Sequence, residues 1–152
     1  MRIRSDQVHE FAAAPEELWE AMLSVHRFQT WWPWLRRFEA TGVARGDVWS
    51  ATVQPPLPYR VGFDLLLTEV QAPRVVAVDV TGDIEGSARL EVSPRGAGSE
   101  LHFTSELTPT RSILRFIAEV ATPVAKFGHQ WVLENGLEQF RSRAFSARSG
   151  PC

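Results

Sequence analysis

The sequence predicts an α+β fold in which a seven-stranded antiparallel sheet curls around a long C-terminal helix. Three observations carry that expectation. Segments of alternating polarity recur from residue 2 to 107, divided by short breaks rich in glycine and proline. Two short helical stretches fall together between the first and second of these segments. Residues 110–145 are the only long stretch with sustained helical periodicity. Successive strands joined by short Gly/Pro loops pair as an antiparallel meander. The apolar face of such a sheet has to be covered, and the terminal helix is the element available to cover it.

Residues 2–11 alternate, with Ile3, Ser5, Gln7, His9 and Phe11 on one face. That row begins and ends apolar, so it is assigned inward and takes Gln7 and His9 with it. Ala14-Pro15-Glu16-Glu17 opens a helix, because proline suits the first turn and acidic residues there favour the helix dipole. Leu18, Trp19, Met22 and Leu23 give it an apolar stripe. A second short helix over 25–30 runs into Trp31-Trp32-Pro33-Trp34, where proline stops it. Strands are expected at 34–41, 47–54, 59–70, 74–82, 87–93 and 100–107. Their apolar rows are Trp49/Ala51/Val53, Val61/Phe63/Leu65/Leu67, Ala88/Leu90/Val92 and Leu101/Phe103/Leu107. The strand at 74–82 is mixed, and its facing stays open. After Pro123 the last helix shows two apolar faces. One holds Val124, Phe127 and Trp131; the other holds Leu133, Leu137, Phe140 and Ala144, with His129 and Gly136 among them. A helix apolar on two sides is buried on two sides.

A chain of 152 residues fits one domain, 1–152, with a substantial core. A net charge of −2 gives no electrostatic case for nucleic acid or an anionic membrane. Apolar runs are too short to span a bilayer, and the N-terminus lacks a signal-peptide pattern. The only cysteine, Cys152, suits a reducing cytoplasm and rules out both an internal disulfide and a cysteine-built metal site. Six tryptophans and nine phenylalanines are a heavy aromatic load, which can fill a core or line an apolar pocket.

Three segments carry a family resemblance: FAAAPEELWEAMLSVHRFQTWWPWLRRFE, LTEVQAPRVVAVDVTGDIEGSARLEV and FGHQWVLENGL. With them the chain resembles the START-like, or helix-grip, superfamily, and within it the bacterial polyketide cyclase/dehydrase-like group. The resemblance covers nearly the whole length and implies a deep apolar cavity between sheet and last helix. Superfamily members include aromatases and cyclases, lipid carriers, hormone receptors and chaperone activators, so the fold alone does not select a reaction. Polyketide cyclase-like relatives commonly carry Asn-His-Asp in the helix. Here the matching stretch is Gly128-His129-Gln130, and only the histidine is kept.

The candidate site residues follow from these readings. His129 is the best single catalytic candidate and also a polar anchor for a ligand, since its pKa range suits either role. Gln7, His9 and Ser105 form a second polar group if the first and last strands are neighbours. Trp34, Trp49, Phe63, Phe103 and Leu133 are expected on the cavity side, and Arg36, same-facing with Trp34 and Phe38, could reach a carboxylate or phenolate. Leu57 and Phe116 could form a lid. His9, His26, His102 and His129 are too scattered to make a metal motif. Asp83 and Glu85 read as turn residues. No cofactor is expected, and the partner is a small hydrophobic ligand bound by a monomer or homodimer. Binding or transport of that ligand is the leading function. A cyclase or aromatase acting on a poly-β-keto chain is the alternative, and an interaction module the third.

Overall fold

The computed structural model describes residues 2–55, 60–111 and 122–144, apart from the side chains of 122–129. The chain opens with β1 (Ile3–Phe11), then α1 (Pro15–Met22), a 3-10 turn (Val25–Arg27) and α2 (Phe28–Trp31). Six strands follow: β2 (Leu35–Ala40), β3 (Val48–Val53), β4 (Val61–Gln71), β5 (Val75–Gly82), β6 (Ile84–Arg95) and β7 (Gly98–Pro109). The last described element is α3 (Thr122–Ala144). All seven strands form one antiparallel sheet in the order β1-β7-β6-β5-β4-β3-β2. This is the expected curved sheet gripping a C-terminal helix, with short helices between the first two strands.

β1 buries alternate residues, Ile3 to Phe11 inward and Arg4 to Glu10 outward, as its period-two pattern requires. It pairs with β7 in a register that sets Ser5 opposite Ser105, Gln7 opposite Phe103 and His9 opposite Leu101. α1 starts on Pro15 with Glu16 and Glu17 in its first turn, and buries Leu18, Trp19, Ala21 and Met22. β6 and β7 run longer than the sequence suggests, because their connection is only Gly96-Ala97. Gly96 takes φ 58°, the positive value a two-residue turn needs at its first central position. Asp83 tightens the turn between β5 and β6. Its carboxylate accepts from the Gly62 amide at 2.9 Å and pairs with Arg111 at 3.2 Å, so it is structural, as its turn position suggested.

The open question of β5 is settled: Val76, Val78 and Val80 all point inward with the core. β2 differs from expectation. Leu35 pairs with Val53 and Arg37 with Thr52, so three β2 residues span two on β3, a bulge. The extra residue turns Leu35 and Phe38 inward and leaves Arg36 exposed. Strict alternation had put Arg36 on the face of Trp34 and Phe38, and the bulge is why that reading fails.

An aromatic cluster binds α2 and β2 to α3. Phe28 lies within 6 Å of Trp31, Trp32, Phe38 and Trp49 by ring centroid. Trp31 meets Phe140 edge-on at 5.5 Å, and Trp34 meets Trp131 edge-on at 6.3 Å. Each such pair contributes about 0.5–1.5 kcal/mol beyond area burial. The indole hydrogens also have partners: Trp32 donates to the Gly136 carbonyl at 2.9 Å and Trp34 to Gln139 Oε1 at 2.8 Å. Arg141 reaches the Glu10 carbonyl, and Arg143 reaches that of Trp31. The C-terminal half of α3 is therefore clamped to β1, α2 and the tryptophan loop.

Candidate ligand-binding site

A cavity of about 330 Å³ lies between α3, at Val132 and Leu133, and the concave face of the sheet. Its wall is assembled by the inward rows. β3 supplies Trp49 and Val53, and β4 supplies Val61, Phe63 and Leu65. Val76, Val78 and Val80 come from β5, Ala88 and Leu90 from β6, and Phe103, Ser105 and Leu107 from β7. Met22 and Leu23 close it from the end of α1, Val132 and Leu133 from α3, with Ile3, Pro55, Ile84 and Pro109 at strand ends.

Among the described residues the wall is almost wholly apolar. Arg89 touches it, yet its guanidinium donates to Glu91 at 2.6 Å and Glu69 at 2.8 Å, which raises its pKa. Glu91 responds in kind, its pKa lowered chiefly by the same hydrogen bond. Arg89 and Glu91 alternate with the inward Ala88, Leu90 and Val92, so that charge is spent on the outer face. Ser105 is the exception on the inner face. It is 8% exposed, and its Oγ has no hydrogen-bond partner among the described residues.

The volume falls in the range of small-molecule sites, about 300–1,000 Å³. The lining is built mostly from valine, leucine and alanine, side chains that leave room between the sheet and the helix.

Of the residues singled out from the sequence, Trp49, Phe63, Phe103, Ser105 and Leu133 are brought together on this wall. Trp34 is buried in the aromatic cluster instead, stacked on Trp32 at 5.6 Å, and does not line the cavity. Arg36 is exposed and does not reach the wall. Gln7 and His9 face inward but bond each other, with His9 Nε2 3.1 Å from Gln7 Oε1. The register carries them away from Ser105, whose partner across β1 is Ser5. Burial holds the His9 pKa below its ordinary value, and the nearby Arg141 charge adds to the effect. His129 lies in α3 one turn before Leu133, but its side chain is outside the described residues, as are Leu57 and Phe116. The β5 valines, Met22 and Val132 are lining residues the sequence reading did not select. For β5 the signal existed, since Val76, Val78 and Val80 alternate, but the adjacent Val75 obscured it.

Residues 2–144 match the family described as polyketide cyclase/dehydrase and lipid transport. The chain belongs to this family. No curated protein matches it. Among solved structures, this family member is similar to a protein from Thermus thermophilus, with TM-score 0.79 and 14% identity over 98% of this chain and 100% of that one. It is also similar to the Zhui aromatase/cyclase from Streptomyces sp. R1128, with TM-score 0.74 and 14% identity over 98% of each chain. A third is norcoclaurine synthase from Thalictrum flavum in complex with dopamine and hydroxybenzaldehyde. It gives TM-score 0.67 and 13% identity over 100% of this chain and 90% of that one. At these identities the likeness is one of fold. Among the described residues, no helix is long and apolar enough to cross a membrane, and no cluster of three His, Cys, Asp or Glu could hold a metal ion.

Proposed function

We propose that this protein binds and carries a small, largely apolar ligand, aromatic or lipid-like, in the cavity beneath α3. The observation that carries this reading is the 330 Å³ space, with an apolar wall and a single orphaned hydroxyl among the described residues. Holding is favoured over conversion because the described wall offers no acid–base pair. On β1 the inward Gln7 and His9 are already bonded to each other. The family description and the small-molecule enzymes among the structural neighbours support a ligand-sized site. A cytoplasmic setting belongs to the same proposal, supported by the single cysteine. Native mass spectrometry of the protein from its own host tests the reading. A bound apolar molecule at one-to-one stoichiometry is expected in the wild type. It should be lost from Ala88→Phe, which places a ring in the cavity from β6. A ligand retained by a folded Ala88→Phe protein would contradict the proposal.

One observation favours a second reading, a cyclase or aromatase. His129 precedes the cavity-lining Leu133 by one helical turn, and residues so spaced share a helix face. General acid–base help from His129 would then assist dehydration of a poly-β-keto chain. Under this reading His129→Ala lowers turnover while leaving the melting temperature within about 2 °C of wild type. An unchanged product distribution in that variant would rule the enzyme reading out.

A further inference from the structure

Ser105 occupies an unusual position for a hydroxyl. It sits mid-way along β7, between Phe103 and Leu107 on the inward row, and all three line the cavity. Its neighbour on β6 is Ala88, whose methyl is the smallest side chain on that part of the wall. Its neighbour on β1 is Ser5, yet Ser105 Oγ makes no hydrogen bond with it or with any other described residue. A buried hydroxyl left without a partner is destabilising, so native proteins rarely leave one. A ligand bound in the cavity would supply the missing partner.

Resting on the ligand-binding reading above, we infer that Ser105 is the specificity-determining anchor of the cavity. It selects neutral ligands that carry one hydroxyl or carbonyl group on an otherwise apolar frame. Charged ligands are disfavoured by the same wall. A carboxylate or phosphate buried there would need a cation. Among the described residues the only charged one on the wall is Arg89, whose guanidinium is committed to Glu69 and Glu91 on the outer face. The polar end of the ligand is placed against β7, and its apolar frame lies toward the Val76, Val78 and Val80 row.

Three probes of nearly one shape separate these features: 2-naphthol, 2-methylnaphthalene and 2-naphthoate, each measured by displacement of the neutral fluorophore 1-aminoanthracene. Wild-type protein is expected to prefer 2-naphthol over 2-methylnaphthalene by roughly three- to tenfold, the value of one neutral hydrogen bond. 2-Naphthoate should bind weakest. Ser105→Ala should abolish the naphthol preference while keeping 2-methylnaphthalene binding, and Ser105→Thr, which retains a hydroxyl, should preserve it. The melting temperature of Ser105→Ala should not fall, because no intramolecular bond is removed. Equal binding of naphthol and methylnaphthalene to wild type would overturn the anchor and leave the cavity reading standing. So would a preference that survives in Ser105→Ala, or a melting temperature several degrees lower. Tightest binding of 2-naphthoate would overturn the selection for neutral ligands. If neither 1-aminoanthracene nor any of the three binds the wild type, both this inference and the ligand-binding reading fail; if 1-aminoanthracene binds and none of the three displaces it, only this inference fails.

Discussion

At the scale of single residues, two positions show opposite kinds of constraint. Gly86 sits inside β6 with φ 152°, and a Cβ built there would overlap the Glu106 carbonyl oxygen. Nothing in that contact is flexible, since the obstacle is backbone. Gly86→Ala is expected to cost about 3 kcal/mol or more, read from the denaturant midpoint. His9 is constrained electrically. Its folded pKa lies below the ordinary 6.5, by burial first and Arg141 second. A depressed pKa means the unfolded chain binds the proton more readily. The His9 contribution is thus intact above pH 6.5 and is lost as pH falls through the lower folded value. In a pH series of unfolding free energies, His9→Gln should flatten the acid-side slope, whereas an unchanged slope would assign it to other groups. The inward placement of His9 was legible from alternation alone. Its separation from Ser105 was not, because register depends on pairing that no single strand records.

At the scale of elements, the strands were legible where apolar rows alternate cleanly, as in β3, β4 and β7. β2 was not, because a bulge shifts parity without leaving a sequence mark as strong as a glycine or proline. The terminal helix was legible as a helix buried on more than one side. Less visible was that the helix both clamps, through Trp131, Gly136 and Phe140, and lines the cavity, through Val132 and Leu133. The clamp depends on the tryptophans of the α2–β2 region, which meet α3 only in three dimensions. Trp131, expected on the face away from Leu133, packs edge-on against Trp34 and is half-buried. Gly136 tests the clamp. A Cβ there would meet Trp34 Cζ2 at 3.4 Å, an ordinary contact, while the Trp32 bond uses the backbone carbonyl and is untouched. Gly136→Ala should therefore raise stability by about 0.5–1 kcal/mol through helix propensity, a rise in melting temperature of about 1–4 °C. A fall would show that Trp34 already presses on that helix turn.

At the scale of the whole molecule, the sheet, the clamp and the cavity form one arrangement. Seven strands curl enough to make a concave face, and α3 is clamped across it. Among the described residues, the space between them is bounded mostly by apolar side chains. Where the clamp residues gather was legible as an aromatic-rich stretch. Trp49 faces the cavity, as the alternation of β3 implies, whereas Trp34, in the turn before the β2 bulge, does not. The central claim is that an apolar molecule occupies the space beneath α3, and methyl-resolved NMR during titration with a neutral aromatic probe tests it most directly. The account predicts shifts at the methyls of Val76, Val78, Val80, Leu90 and Leu133, with Val8 and Leu66, 52% and 42% exposed, unmoved. Shifts confined to Val8 and Leu66, or none at the cavity methyls when the probe is bound, would contradict it.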